Sequence, residues 1–219
     1  MQLTRDRLAR MIDHTLLAPT ASAADVAALV AEAEELGTWS VCVSPSRLPL
    51  PGRPRVHVAS VVGFPSGQHT AATKAAEAAQ AVAAGAGEID LVLDLGRLLE
   101  GDVAHTELEV RQVREVAPAP VLLKVILETA VLPDELIVAA CGACERAGAD
   151  MVKTSTGFHP AGGATVHAVE VMRTAVGDRL GIKASGGIRD YATAAALVGA
   201  GATRLGLSAS RRVLEQAPA

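Results

Sequence analysis

The stretch Pro133–Thr154, PDELIVAACGACERAGADMVKT, changes periodicity partway along. Pro133–Ala147 is an alanine-rich amphipathic segment of helical character. Ala147-Gly148-Ala149-Asp150 then stops it, because glycine accepts the left-handed conformation that ends a helix. The apolar run Met151–Thr154 follows at once, with the length of a buried strand. The stop recurs as Ala84-Gly85-Ala86 and Gly199-Ala200-Gly201-Ala202, each leading straight into an apolar run.

Extending this reading outward predicts strands at Ile12–Leu17, Ser40–Val43, Val56–Val62, Glu88–Asp94, Val121–Ile126, Met151–Thr154, Leu180–Ala184 and Arg204–Gly206. Helices are expected at Ala24–Leu36, Ala71–Ala84, Val103–Val116, Pro133–Ala147, Ala164–Val176 and Ala192–Gly199. Ser44–Arg55 carries Pro45, Pro49, Pro51, Gly52 and Pro54, so it reads as a loop with at most one helical turn. Eight strands alternating with helices and no linker imply an α/β fold and one parallel sheet with helices outside. A single (β/α)8 TIM barrel over residues 1–219 is the first choice, an open doubly wound sheet the second. Against the second, no Gly-x-Gly-x-x-Gly turn follows the first strand.

Composition narrows the partners. The 219 residues are 50% hydrophobic but only 2% aromatic, which suits helices lying close on a sheet. A formal charge of −4 argues against a general nucleic-acid surface. Met1–Met11 carries Arg5, Asp6, Arg7 and Arg10 and lacks an apolar leader core, and no stretch reads as a membrane span. Three cysteines do not make a disulfide framework, so the setting is read as reducing and cytoplasmic.

In a closed barrel, polar residues at the carboxyl ends of strands face the active site. Those ends offer Asp13, Asp90, Lys124, Lys153 and Lys183. The chain has only four lysines, and three of them sit in strand contexts between apolar neighbours. Desolvation and a neighbouring cation disfavour an ammonium and free the amine to attack a carbonyl. Two lysines about 6 Å apart at an effective dielectric near ~20 repel by roughly 3 kcal/mol, about 2 pKa units. An iminium on such a lysine would withdraw electrons from the adjacent C–C bond, with Asp90 moving protons directly or through water. Lysines that merely pair with carboxylates in a barrel layer are the plainer alternative.

Val152-Lys153-Thr154-Ser155-Thr156-Gly157-Phe158 and Ile182-Lys183-Ala184-Ser185-Gly186-Gly187-Ile188 carry a resemblance, as do Ile12-Asp13-His14-Thr15-Leu16-Leu17, Gly63-Phe64-Pro65 and Glu88-Ile89-Asp90. From about Met11 to Ser210 the chain resembles the deoxyribose-phosphate aldolases of the short bacterial type. The resemblance implies a lysine Schiff base at Lys153, a perturbing second lysine at Lys183, a proton-relay carboxylate at Asp90 and a supporting Lys124. It implies reversible cleavage of 2-deoxy-D-ribose 5-phosphate to acetaldehyde and glyceraldehyde 3-phosphate, with no metal and no cofactor. Asp13, Thr156, Gly157, Gly186, Gly187 and Ser208 join Lys124 as expected substrate-binding residues, with Ser208 placed at the start of the last helix. Glycines there would let backbone N–H groups approach a phosphate. The partner is a small sugar phosphate, and a homodimer or homotetramer is open.

The chain departs from that family in three places. Asp94 stands where Asn is common, adding a carboxylate near Asp90. Phe158 stands where a longer branch has Lys. The end, Glu215–Ala219, has no tyrosine. Cys141 and Cys144 have redox spacing but fall inside a helix, so they read as structural, and Cys42 reads as a small core residue. The six histidines show no zinc spacing, and His14 reads as a structural hydrogen bonder. Glu107, Glu109, Arg111, Arg114 and Glu115 read as a solvated helix face. A phosphate-binding barrel without chemistry and a carboxylate-driven sugar-phosphate isomerase remain the competing readings. The first has no need of a neutral amine, and the second leaves the paired lysines unexplained.

Overall fold

Side chains that accept backbone N–H groups start most of the helices. Ser22 and Asp25 form a reciprocal capping box, while Thr70, Asp102, Thr165 and Asp190 each accept from the amide three residues on. At the other ends, Gly37, Gly85, Gly148 and Gly201 have φ of 69°, 101°, 85° and 120°, so the helix stops lie where the sequence places them. The result, in a computed structural model describing residues 3–219, is eight strands and nine helices in alternation. Met1 and Gln2, part of the stretch read above as lacking a leader, lie outside the described residues.

The strands are β1 (Ile12–Leu16), β2 (Ser40–Val43), β3 (His57–Val62), β4 (Glu88–Val92), β5 (Leu122–Ile126), β6 (Met151–Lys153), β7 (Gly181–Ser185) and β8 (Arg204–Leu207). All pair in parallel, and β8 returns to β1, closing the barrel. The helices are α1 (Arg5–Ala9), α2 (Ala23–Leu36), α3 (Ala71–Ala83), α4 (Leu95–Leu99), α5 (Val103–Val116), α6 (Asp134–Arg146), α7 (Val166–Val176), α8 (Tyr191–Gly199) and α9 (Ser210–Glu215). The proline-rich segment after β2 holds one 3-10 turn, Pro45–Arg47, as expected. The short helices α1 and α4 were not anticipated. No helix among the described residues is long and apolar enough to cross a membrane.

The apolar layer between barrel and helices includes Cys141 and Cys144, buried on α6, with burial pushing both thiols upward. That makes them inert core residues. His14 bonds Ser210 Oγ at 2.8 Å and Glu32 at 3.2 Å, also a structural role. The last residues lie against the flank, where Pro218 C=O accepts from Arg5 N–H at 2.7 Å and Gln216 from Tyr191 N–H at 3.1 Å.

One expectation fails. Glu109 does not belong to a solvated face: it has no exposed surface and pairs with the equally buried Lys74. Lys74 Nζ also donates to Val92 C=O at 2.8 Å, and Glu109 accepts from Asp94 N–H at 3.1 Å. The pair therefore ties α3 and α5 to the carboxyl end of β4. Heptad-like charge patterning cannot reveal this, because the partner lies 35 residues away. Breaking a buried pair from one side strands a charge. Lys74→Met should therefore destabilise the protein by about 3–5 kcal/mol in urea unfolding, and adding Glu109→Leu should recover most of the loss. The deficit should shrink at acid pH, where the stranded carboxyl takes a proton. A single variant as stable as the double would refute this account.

Candidate active site

Parallel register puts Asp90 on β4 beside Lys124 on β5, and Lys153 on β6 beside Lys183 on β7. All four side chains converge inside the barrel, because residues paired across parallel strands share a face. Asp90 accepts from three lysines: Lys124 Nζ on Oδ1, and Lys153 and Lys183 Nζ on Oδ2, each at 2.7 Å. Lys183 Nζ also donates to Asp13 Oδ2 at 2.5 Å. Above Asp13, on the β1–β3 side, Leu17, Cys42, Ala59 and Val61 pack together as an apolar patch.

A cavity of about 400 Å³ opens above this cluster. Lys153 lines it with Thr156, Gly157, Gly186, Gly187 and Ser208, so six of the sequence-derived residues surround one space. Asp13, Asp90, Lys124 and Lys183 have no exposed surface and lie beneath it. Asp13 and Lys124, expected among the substrate-binding residues, thus sit below the cavity lining and bear on it through Asp90 and Lys183. Ser208 is corrected in place. It is exposed in the turn after β8, two residues before α9 begins. The glycines make the walls thin. A Cβ on Gly163 would lie 2.2 Å from Gly186 C=O, so these two loops pack backbone to backbone.

The electrostatics separate the lysines. Burial pushes Lys153 down and Lys183 adds to that, while Asp90 opposes, and the net direction is downward. Burial also disfavours the Lys183 and Lys124 ammoniums, but the carboxylates win and hold both above the ordinary lysine value. Asp90 resists its own burial under three cations and stays well below the usual carboxylate range. The geometry thus supplies one amine biased towards neutrality at the cavity floor and two fixed cations below it. That combination suits attack on a carbonyl. Cys42 is buried nearby, and its thiol is pushed up to about 11, chiefly by burial, so it stays neutral.

Four residues were missed. Glu88 and Arg204 enter the interior, and period-two alternation from Asp90 could have flagged Glu88. Arg189 lines the cavity as its one exposed cation. Glu128, buried after β5 with φ of 56°, accepts from Thr156 Oγ1 at 2.5 Å and orients it. No local signal marks that contact. Asp94 spends its carboxylate capping α4, where it accepts from Arg97 N–H at 3.3 Å. It is therefore not a spare group beside Asp90. Phe158 stands at the rim edge-to-face with Phe64, centroids 5.1 Å apart. Each interior carboxylate already has a cation partner, and among the described residues no three His, Cys, Asp or Glu side chains form a metal-holding group.

The sequence model described as DeoC/LacD family aldolase matches residues 7–216. A deoxyribose-phosphate aldolase of Corynebacterium diphtheriae is 61% identical over 213 residues, covering 97% of this chain and 98% of the relative. The solved aldolase QR15 superposes with a TM-score of 0.90 at 36% identity, covering 95% of this chain and 94% of its own. A tetrameric deoxyribose-phosphate aldolase from Aeropyrum pernix gives 0.86 at 35% identity, covering 97% and 91%.

The geometry predicts how Lys183 acts on its neighbour. In Lys183→Leu, Lys153 loses a like charge and gains sole use of Asp90 Oδ2, and both changes favour its ammonium. Reductive alkylation of Lys153 by a small aldehyde at neutral pH should slow by roughly tenfold or more and recover in alkali. An unchanged or faster reaction in a folded variant would remove Lys183 from that role.

Proposed function

The chain belongs to the DeoC/LacD family of aldolases, and on that premise we propose the following assignment of its reaction to residues. The reaction is reversible cleavage of 2-deoxy-D-ribose 5-phosphate to acetaldehyde and D-glyceraldehyde 3-phosphate, through a lysine Schiff base and without a metal. Lys153 is the nucleophile. The observation that carries this is its position: it is the lysine lining the cavity, while Lys124 and Lys183 are held as cations beneath it.

The neutral Lys153 amine adds to C1 of the open-chain sugar, and loss of water gives the iminium. The C2–C3 electron pair moves towards the iminium as the C3 hydroxyl loses its proton, releasing glyceraldehyde 3-phosphate and leaving an enamine. Protonation at C2 and hydrolysis return acetaldehyde and the free amine. Asp90, bonded to Lys153 Nζ, takes and returns the proton at nitrogen. Being fully buried, it reaches the C3 hydroxyl only through water in the cavity. Lys183 and Lys124 keep Asp90 anionic between turnovers.

At the far end, Gly157, Gly186 and Gly187 present backbone close to the space, and Ser208 and Arg189 stand at its rim. These groups suit the phosphate, and Thr156, oriented by Glu128, suits a substrate hydroxyl. A cytoplasmic setting, and assembly as a homodimer or homotetramer by likeness to the tetrameric Aeropyrum pernix relative, belong to the same proposal. Light scattering on the purified protein reads the assembly.

Acetaldehyde followed by borohydride should add one ethyl group, mapped by mass spectrometry to Lys153, and activity should survive exhaustive EDTA treatment. An adduct on Lys124 or Lys183 would overturn the assignment. Ser208→Glu should lower kcat/KM for the phosphorylated sugar on the order of a hundredfold while sparing unphosphorylated deoxyribose. Equal losses on both would place the phosphate elsewhere.

A further inference from the structure

Six of the seven charged groups in the barrel interior form a closed cycle of alternating sign. Asp90 Oδ1 accepts from Lys124 Nζ at 2.7 Å, and Lys124 Nζ meets Glu88 Oε2 at 2.6 Å. Glu88 Oε2 faces Arg204 Nη1 at 3.2 Å, and Arg204 Nη1 donates to Asp13 Oδ1 at 2.8 Å. Asp13 Oδ2 then takes Lys183 Nζ at 2.5 Å, and Lys183 Nζ returns to Asp90 Oδ2 at 2.7 Å. Three carboxylates alternate with three cations. Lys153 stands outside the cycle, bonded to Asp90 alone.

We infer that Glu88 and Arg204 are positioning residues for the reaction: by completing a neutral ring beneath Asp90, they make Lys153 the amine whose uncharged form leaves the barrel interior without net charge. The inference rests on the Schiff-base reading above. Neither residue lines the cavity or touches Lys153, so both act through Lys124, Asp13 and Asp90. Each ring cation contacts at least two carboxylates, Lys124 reaching Asp13 Oδ2 as a third at 3.6 Å, whereas Lys153 contacts one and shares that oxygen with Lys183. An unbalanced charge is costly in a buried, weakly polarisable space, so the proton held by the fewest partners leaves first.

The walls supply no other carboxylate, lysine or arginine. Among the described residues, β1 contributes Asp13, β2 Ser40 and the neutral thiol of Cys42, β3 Ala59 and Val61 with the exposed His57 at its lower end, β4 Glu88 and Asp90, and β5 to β8 one cation each. At the lower end the ring is fixed in place. Trp39 Nε1 donates to Glu88 Oε1 at 2.7 Å, the Arg204 guanidinium lies 4.6 Å from the Trp39 ring centre, and the His57 ring stacks on Trp39 with centroids 4.5 Å apart.

The test is the pH dependence of acetaldehyde–borohydride trapping on Lys153, in variants whose fold is checked by circular dichroism. Glu88→Gln removes an anion but leaves Lys124 bonded to Asp90, so the trapping midpoint should fall by about one pH unit. Arg204→Met removes a cation but leaves Asp13 with Lys183 and Glu88 with Lys124, so the midpoint should rise by about one unit. Arg204→Lys keeps the count and should stay with the wild type. The double variant Glu88→Gln/Arg204→Met restores the balance and should return towards the wild-type midpoint, which decides the matter if a single variant fails to fold. Shifts of one sign in both singles, no shift in either, or a double displaced as far as a single would overturn the inference. A wild-type protein that traps nothing on Lys153 would instead defeat the Schiff-base reading itself.

Discussion

Asp90 accepts hydrogen bonds from three lysine ammonium positions, and the barrel interior is organised around that one carboxylate. A single anion cannot neutralise three cations. Asp13 and Glu88 hold Lys183 and Lys124, and Arg204, in contact with both carboxylates, brings the ring to three cations and three anions without Lys153. The arrangement makes the lysines unequal although all are buried. Two are committed to several carboxylates each, and Lys153, with one shared partner and an edge in the cavity, is left free to react.

The surrounding fold keeps this cluster in register. Short strands fix neighbouring side chains across β4–β5 and β6–β7, and close backbone contact between Gly163 and Gly186 narrows the loops above them. Behind β4, the Lys74–Glu109 pair grips the chain where β4 ends, two residues past Asp90. All four lysines of this protein are therefore internal, and its solvent-facing positive charge comes from arginine. Arginine stays charged in almost any setting, while lysine can be brought to neutrality by burial, so the division of labour follows from their different basicities.

Much of the site was legible. The order of strands and helices followed from two periodicities and the glycine stops, and Lys153, Asp90 and Lys183 stood out as charges within apolar strand runs. Gly186 and Gly187 could be placed because the loops after strands face one end of a barrel, whereas Gly157 and Thr156 came with the family resemblance. Glu109 was misplaced, because a charged residue on an amphipathic helix looks solvated until its buried partner is known. Glu128 left no trace in the sequence, since its role is a contact with Thr156 across two different loops.

What the sequence determined by itself was local: where most elements start and stop, and that three lysines sit within apolar strand runs. Only the closed tertiary structure decided which of those charges meet. Asp13 lies 170 residues from Lys183 and 191 from Arg204, and they touch because β8 pairs with β1. Alternation along a strand encodes which side a residue takes, but the partner across the barrel is set by closure. Which amine sheds its proton depends on the full count of charges that closure brings together.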